Sequence, residues 1–158
     1  MEDFDLVIIG AGVVGLSITY FLSSLSKNIL VIEKNSSFGM ETSSRNSEGI
    51  HSGIYYPENS YKAKLCVRGR KLLYEFVIGM TLGILKLVNL LWQQMKRRKK
   101  LIKELFNRGI INEVEGLELL DKNEILSIVP NVRAIYAIHS KETGVFDSHS
   151  FMKRLYIA

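Results

Sequence analysis

The residues best suited to chemistry are three glycines and one acid. Gly10, Gly12 and Gly15 stand at G-x-G-x-x-G spacing in Gly10-Ala11-Gly12-Val13-Val14-Gly15. A glycine at the first position permits a tight turn. One at the second lets backbone approach a diphosphate, and one at the third lets the next helix pack on the preceding strand. The start of that helix offers unpaired N–H groups and the positive end of a dipole, both favourable to a diphosphate. Glu33 closes a second aliphatic run, Asn28-Ile29-Leu30-Val31-Ile32, about 20 residues past the glycines, where an acceptor for ribose hydroxyls is expected. Together these features predict a dinucleotide site. The spacing does not separate FAD from NAD. The acid argues against a 2′-phosphate, although Lys34 beside it weakens that exclusion.

Specific elements must position these groups. Phe4 to Ile9 reads as a strand buried on both faces, because it is short, aliphatic and rich in β-branching. A helix follows from about Val14 to Leu25, and Asn28 to Ile32 returns as a parallel strand. Thr42-Ser43-Ser44-Arg45-Asn46-Ser47 then brings hydroxyl, amide and guanidinium groups together, as suits a loop that meets a polar ligand. Ile50, Ile54, Tyr55 and Tyr56 just beyond it argue against a merely solvated loop. From Tyr61 to Phe76 the apolar residues Leu65, Leu72, Leu73 and Phe76 recur at helical spacing, with Lys and Arg on the solvated side.

Composition excludes other classes. The chain has 158 residues, enough for one domain with a core. Its net charge of +5 is matched by the five cations of Lys96-Arg97-Arg98-Lys99-Lys100 alone. The basicity is local, so no nucleic-acid partner is expected. Cys66 is the single cysteine, which excludes an internal disulfide and fits a reducing compartment. It reads as a small buried hydrophobe. The acidic start Met1-Glu2-Asp3 leads directly into the first strand, so no signal peptide is expected and the expected location is cytoplasmic, with membrane association as the alternative. No Cys/His/carboxylate set has metal spacing, so no metal is expected, and His139 and His149 read as loop and cap histidines.

The first 76 residues resemble the N-terminus of the FAD-dependent oxidoreductases of the D-amino-acid oxidase superfamily, and within it the L-2-hydroxyglutarate dehydrogenase/oxidase group. The resemblance rests on the glycine turn, Glu33-Lys34, Asn46-Ser47, and Ile50-His51-Ser52-Gly53-Ile54-Tyr55-Tyr56. Lys62-Ala63-Lys64-Leu65-Cys66 and Leu73-Tyr74-Glu75 extend it. It implies an α/β, Rossmann-like FAD-binding fold of the GR2 type and FAD as cofactor. The implied reaction is hydride transfer from the α-carbon of a small 2-hydroxy acid. By position, Gly10, Ala11, Gly12, Val13, Val14 and Gly15 would meet the pyrophosphate and Glu33, with Lys34, the adenosine ribose. Thr42, Ser43, Ser44, Arg45, Asn46 and Ser47 would pass beside the pyrophosphate and ribityl chain. His51 would approach the isoalloxazine as the candidate catalytic residue. It would tune the ring, attach to it, or act as a base; a purely local hydrogen-bonding role stands beside these.

The expected organisation is an FAD-binding βαβ unit with its loop and helix over 1–76, an atypical and partial substrate region over 77–140, and a return helix over 141–158. Phe76 to Trp92 departs from the resembled group, which enters its substrate domain there with strands of the Gly-Lys-Leu-aliphatic type. Three readings stand: a membrane segment at the short limit of about 20 apolar residues, an interfacial amphipathic helix with Lys86, Asn89 and Gln93 on one face, or a stretch that lost its original sequence by compensated frameshifts. Beyond it, Leu101 to Gly109 reads as a helix closed by glycine. Asp121 and Glu124 form a capping-box pattern for Lys122 to Ile128. Ala134 to His139 reads as a strand, and Asp147 caps a last helix. The resembled proteins are more than twice as long, so the expectation is an incomplete FAD-binding domain with the start of a substrate domain. Three function classes follow: a truncated oxidoreductase, acting with a separately encoded C-terminal half or as a broken copy; a non-catalytic remnant or membrane-associated binding module; and an NAD-dependent dehydrogenase.

Overall fold

A computed structural model describes residues 3–25, 28–80, 82–87, 89–93 and 99–157. In chain order the elements are β1 (Leu6–Ile9), α1 (Val13–Ser23), β2 (Ile29–Ile32), β3 (Gly49–Ile50), α2 (Tyr61–Gly79), β4 (Ile84–Lys86), β5 (Asn89–Gln93), α3 (Lys99–Ile111), β6 (Leu117–Leu120), α4 (Lys122–Ile128), β7 (Tyr136–Ser140), β8 (Gly144–Phe146) and α5 (Ser148–Ile157). They divide between two compact units. The first holds Met1–Glu48, Gly79–Gly83 and Phe146–Ala158, and the second Gly49–Ile78 and Ile84–Val145. The segment expected as one FAD-binding piece, 1–76, thus spans both, and its part beyond Glu48 lies with the second.

In the first unit β1 and β2 pair in parallel, from Leu6 opposite Ile29 to Ile9 opposite Ile32. The Asp5 carboxylate adds a tie, accepting the Asn28 N–H at 2.9 Å. Parallel neighbours need a crossover between them, and α1 supplies it. Leu16 is the buried residue of that helix. α5 packs on α1 and buries Phe151, Met152 and Leu155.

The second unit carries two sheets, ordered β3-β8-β4 and β5-β7-β6. β7 lies central and runs antiparallel to both of its neighbours. Ile138 on β7 is fully buried in a cluster with Ile54, Val67, Ile102 and Val114, against which Leu91 and Phe106 pack. At the start of α4 the expected capping box is present. Asp121 accepts from the N–H groups of Asn123 and Glu124, and Glu124 accepts from the Asp121 N–H at 2.7 Å.

Two expectations are corrected. Phe76 to Trp92 is not one helix, so the membrane-segment and interfacial-helix readings fail there. α2 ends at Gly79, and the chain continues as β4 and β5. β5 pairs residue for residue with β7, Asn89 opposite Ser140 through Gln93 opposite Tyr136. The aliphatic run satisfies its backbone groups across a sheet instead of within a helix. Lys86, expected on a polar helix face, reaches Glu142 at 3.2 Å and lies over the Tyr74 ring. Among the described residues no helix is long and apolar enough to cross a membrane. Lys96, Arg97 and Arg98 of the basic run lie outside the described residues. The second correction concerns Gly109, which does not close a helix but sits inside α3. A Cβ there would come within 2.5 Å of Leu117 Cδ1, so the glycine lets α3 approach β6.

Candidate functional site

The glycine turn joins β1 to α1 in the first unit. Gly10 has φ +100°, a conformation that side chains rarely adopt, and a Cβ there would meet nothing within 4 Å. The turn therefore needs glycine for its backbone angle and leaves open space beside it. Gly15 serves packing as expected, but its tightest neighbour is the turn itself. A Cβ would fall onto the Gly10 carbonyl oxygen, with Ile8 Cγ2 at 3.4 Å. Gly12 faces Ser43, whose Oγ would stand 3.0 Å from an added Cβ.

Glu33 is anchored into this turn. Its Oε2 accepts the Ala11 N–H at 2.8 Å, and its Oε1 accepts the Asn35 N–H and Nδ2 at 2.9 and 3.0 Å. The Asn35 backbone N–H, followed by that of Ala11, holds the Glu33 carboxyl below its ordinary value of 4.5. An ionised carboxylate offers about four acceptor positions, so capacity for a hydroxyl donor remains. Beside it a cleft of about 440 Å³ is bordered by Ala11, Glu33, Leu16, Ser36, Phe38 and Tyr156, among others. That volume lies within the size of small-molecule sites. Lys34 pairs with Glu41 at 2.9 Å, in an exposed ion pair.

The polar loop behaves unevenly. Thr42–Ser44 form a short 3-10 turn. Ser43 Oγ accepts the Val13 N–H at 3.0 Å, 30 residues away in sequence, and so caps the start of α1. Val14 and Gly15, next along the first turn, carry N–H groups with no acceptor inside the helix. Ser44 Oγ donates to the Met40 and Glu41 carbonyls. Asn46 donates to the Ser43 carbonyl at 2.8 Å and to Ser148 Oγ at 3.1 Å. Thr42, Arg45 and Ser47 are exposed.

His51 belongs to the second unit, directly after β3, with an exposed side chain. Its carbonyl accepts from Cys66 Sγ at 3.4 Å. Ile50 and Ile54 are buried, as expected of a loop that is not merely solvated, whereas Tyr55 is exposed. Asn112, which the sequence did not single out, pins this loop by donating from Nδ2 to the Gly53 and Tyr56 carbonyls.

Glu48 and Asn35 are further residues with roles that the sequence did not reveal. Glu48 adopts φ +55° and accepts from both the N–H and the Oγ of Ser148, each at 2.9 Å. Asp147 caps α5 as expected, accepting from the His149 and Ser150 N–H groups. Glu48, Asp147 and His149 thus place three ligand-type atoms within 4.8 Å of one another, a grouping their sequence spacing hides. Both carboxylates are committed to holding the start of α5.

These acids set an acid limit on stability. The Ser148 N–H holds the Glu48 carboxyl below its ordinary range, and the Ser150 hydroxyl does the same for Asp147. Glu33 shares the direction. A carboxyl with a lowered folded-state pKa stabilises fully above its unfolded value, and that contribution is lost as pH falls through the folded value. Thermal melts should hold their midpoint from neutral pH down to about the ordinary carboxyl value of 4.5 and fall below it. Glu48→Gln should shrink that fall; an unchanged acid limb in the variant would contradict the assignment.

Over residues 5–158 the sequence matches the family described as DAO, FAD dependent oxidoreductase. The chain belongs to that family. FAD is therefore the family's cofactor, in place of the NAD alternative. An L-2-hydroxyglutarate dehydrogenase of Arabidopsis thaliana is 43% identical over 154 residues, which is 98% of this chain and 32% of the relative. The human L-2-hydroxyglutarate dehydrogenase is 36% identical, over 92% of this chain and 32% of its own length. Both names carry the word mitochondrial, whereas the sequence pointed to the cytoplasm. Among solved structures, an L-α-glycerophosphate oxidase of Mycoplasma pneumoniae with FAD bound superposes with a TM-score of 0.85 at 27% identity. It covers 98% of this chain and 42% of that one. The chain spans about a third of the length of the curated relatives it matches, consistent with a fragment of an FAD-binding domain.

The residues of the first unit fit the adenosine diphosphate half of FAD. The open space beside Gly10 would be filled by a side chain there. Two first-turn N–H groups, Val14 and Gly15, lack helical acceptors. Glu33 is fixed by three donors yet keeps acceptor capacity.

Proposed function

We propose that this chain is the FAD-binding portion of an oxidoreductase acting on a small 2-hydroxy acid, L-2-hydroxyglutarate by the names of its relatives. The observation that carries the reading is the Glu33 carboxylate locked onto the Ala11 N–H inside a glycine turn with open space at Gly10. FAD, when bound, supplies the hydride acceptor. The chain's own part is to orient it: the Val14 and Gly15 N–H groups face the diphosphate, Glu33 takes the ribose hydroxyls, and Ser43 and Asn46 keep the neighbouring loop in place. His51 is the side chain proposed to meet the reacting end, with tuning, attachment and base roles all open to its imidazole. The residues that would close a substrate pocket belong to the length that the relatives have beyond this match. The chain alone is therefore proposed to hold flavin without turning over substrate, and a partner half is proposed to complete it.

The experiment is visible absorbance after gel filtration of the chain folded with FAD. A flavin band moving with the protein is expected, with no bleaching by L-2-hydroxyglutarate. Folded protein eluting without flavin would overturn the reading and favour the non-catalytic remnant.

A further inference from the structure

The second unit holds a hollow of about 310 Å³ between α2 and the end of α3, at the small end of the range for ligand sites. It shares no lining residue with the cleft beside Glu33. Ala63, Val67 and Asn112 are its buried lining. Lys64, Arg68 and Lys71 are exposed around them. These three cations stand at i, i+4 and i+7 of α2, so one helix face carries them all.

Like charges four residues apart repel and destabilise a helix. On this face the repulsion is relieved only in part. Lys71 pairs with Glu115 at 2.8 Å, but Glu115 is also the partner of Arg70, at 3.4 Å. Arg70 is buried, and its Nη1 has no acceptor. Lys64 and Arg68 have no ion pair among the described residues. Neither has an acid three or four residues away along α2. Glu113 is the one carboxylate of the lining. Four cations, Lys64, Arg68, Arg70 and Lys71, are thus set against two carboxylates, Glu113 and Glu115, which leaves two positive charges in excess.

We propose that this hollow binds a small dianion, either a phosphate monoester or a dicarboxylate. Two negative charges balance the excess, whereas a monoanion leaves one behind. The planar fork of Arg68 matches both carboxylate and phosphate, and Lys64 adds a point charge on a flexible stem. Ala63 and Val67 give the carbon body of the ligand an apolar surface to lie on. The proposal stands apart from flavin binding.

The test is calorimetric titration of the whole chain with methyl phosphate, glutarate and, as a monoanion, acetate. It is run at matched ionic strength and at about pH 8, where a phosphate monoester carries two charges. One dianion per chain is expected, with a dissociation constant below about 1 mM and acetate at least about tenfold weaker. Whichever of methyl phosphate and glutarate binds more tightly names the source. Arg68→Gln and Lys64→Gln, both at exposed positions, should each weaken binding at least about tenfold with unchanged circular dichroism. Lys122→Gln, which removes the same charge from an exposed position of α4, should change it less than about twofold. Repeating the titration with FAD present should give the same dianion affinity. No saturable binding of either dianion, or equal affinity in Arg68→Gln, Lys64→Gln and the parent chain, would overturn the proposal. So would a dianion displaced by FAD, which would place it in the cofactor cleft. Flavin absorbance recorded on the same samples separates failure here from failure of the cofactor reading.

Discussion

Replacing Gly15 by alanine should remove flavin retention while replacing Gly69 by alanine should not. Both glycines lie inside helices, so propensity alone favours alanine at each by roughly 0.5–1 kcal/mol. The environments reverse the outcome at one of them. At Gly69 an added Cβ meets nothing within 4 Å; at Gly15 it falls on the Gly10 carbonyl oxygen. That oxygen belongs to the turn backbone and cannot swing aside as a side chain would. Relief requires α1 to move off β1, or Gly10 to leave φ +100°. Either shift displaces the N–H groups of Val14 and Gly15 from the proposed diphosphate position. Overpacking of this kind costs about 1–3 kcal/mol, and each 1.4 kcal/mol is about tenfold in affinity. FAD titrations of both variants check this. Equal affinity in Gly15→Ala and the parent chain would mean that the turn does not hold the cofactor.

The second large effect lies in the other unit. Ile138→Ala should destabilise it by about 2–5 kcal/mol, the range for truncating a buried isoleucine. Ile138 is fully buried at the centre of β7, opposite Leu91 on one side and Leu119 on the other. It packs with Ile54, which belongs to the loop after His51. The loss should lower the midpoint of thermal unfolding by roughly 5–20 °C. Leu85→Ala, at an exposed β4 position, should stay within about 0.5 kcal/mol. A midpoint for Ile138→Ala indistinguishable from that of Leu85→Ala would contradict the placement of the core.

Local rules read well wherever the partners are close in sequence. The glycine turn, the acid at the end of β2, the Asp121 capping box and the Asp147 cap all use contacts set by short spacings, and they appear where expected. The strands β4 and β5 were harder to read because an unbroken aliphatic run fits a helix and a buried strand equally well. What decides is β7, which pairs with β5 from more than 40 residues away. Gly109 misled for the same reason: as a helix ender it has a local explanation, but Leu117 on β6 is its actual neighbour. Around the candidate site, the glycine turn and the strand that ends before Glu33 were legible as local structure, and the connections between them were not. Glu33 was singled out for a ribose, a role that stays a proposal; that it anchors the Ala11 N–H depends on the turn's path in space. Ser43 as a cap for α1, and Glu48 as a partner of Ser148 100 residues away, leave no trace in spacing.

The central claim is that this chain recognises the adenosine diphosphate half of FAD through the glycine turn and Glu33. Competition titration tests it most directly, with the chain's binding of FAD, FMN and ADP measured under one set of conditions. Saturable FAD binding, displacement by ADP, and FMN affinity at least about tenfold weaker are the predicted results. Equal affinity for FAD and FMN, or FAD binding indifferent to ADP, would contradict it.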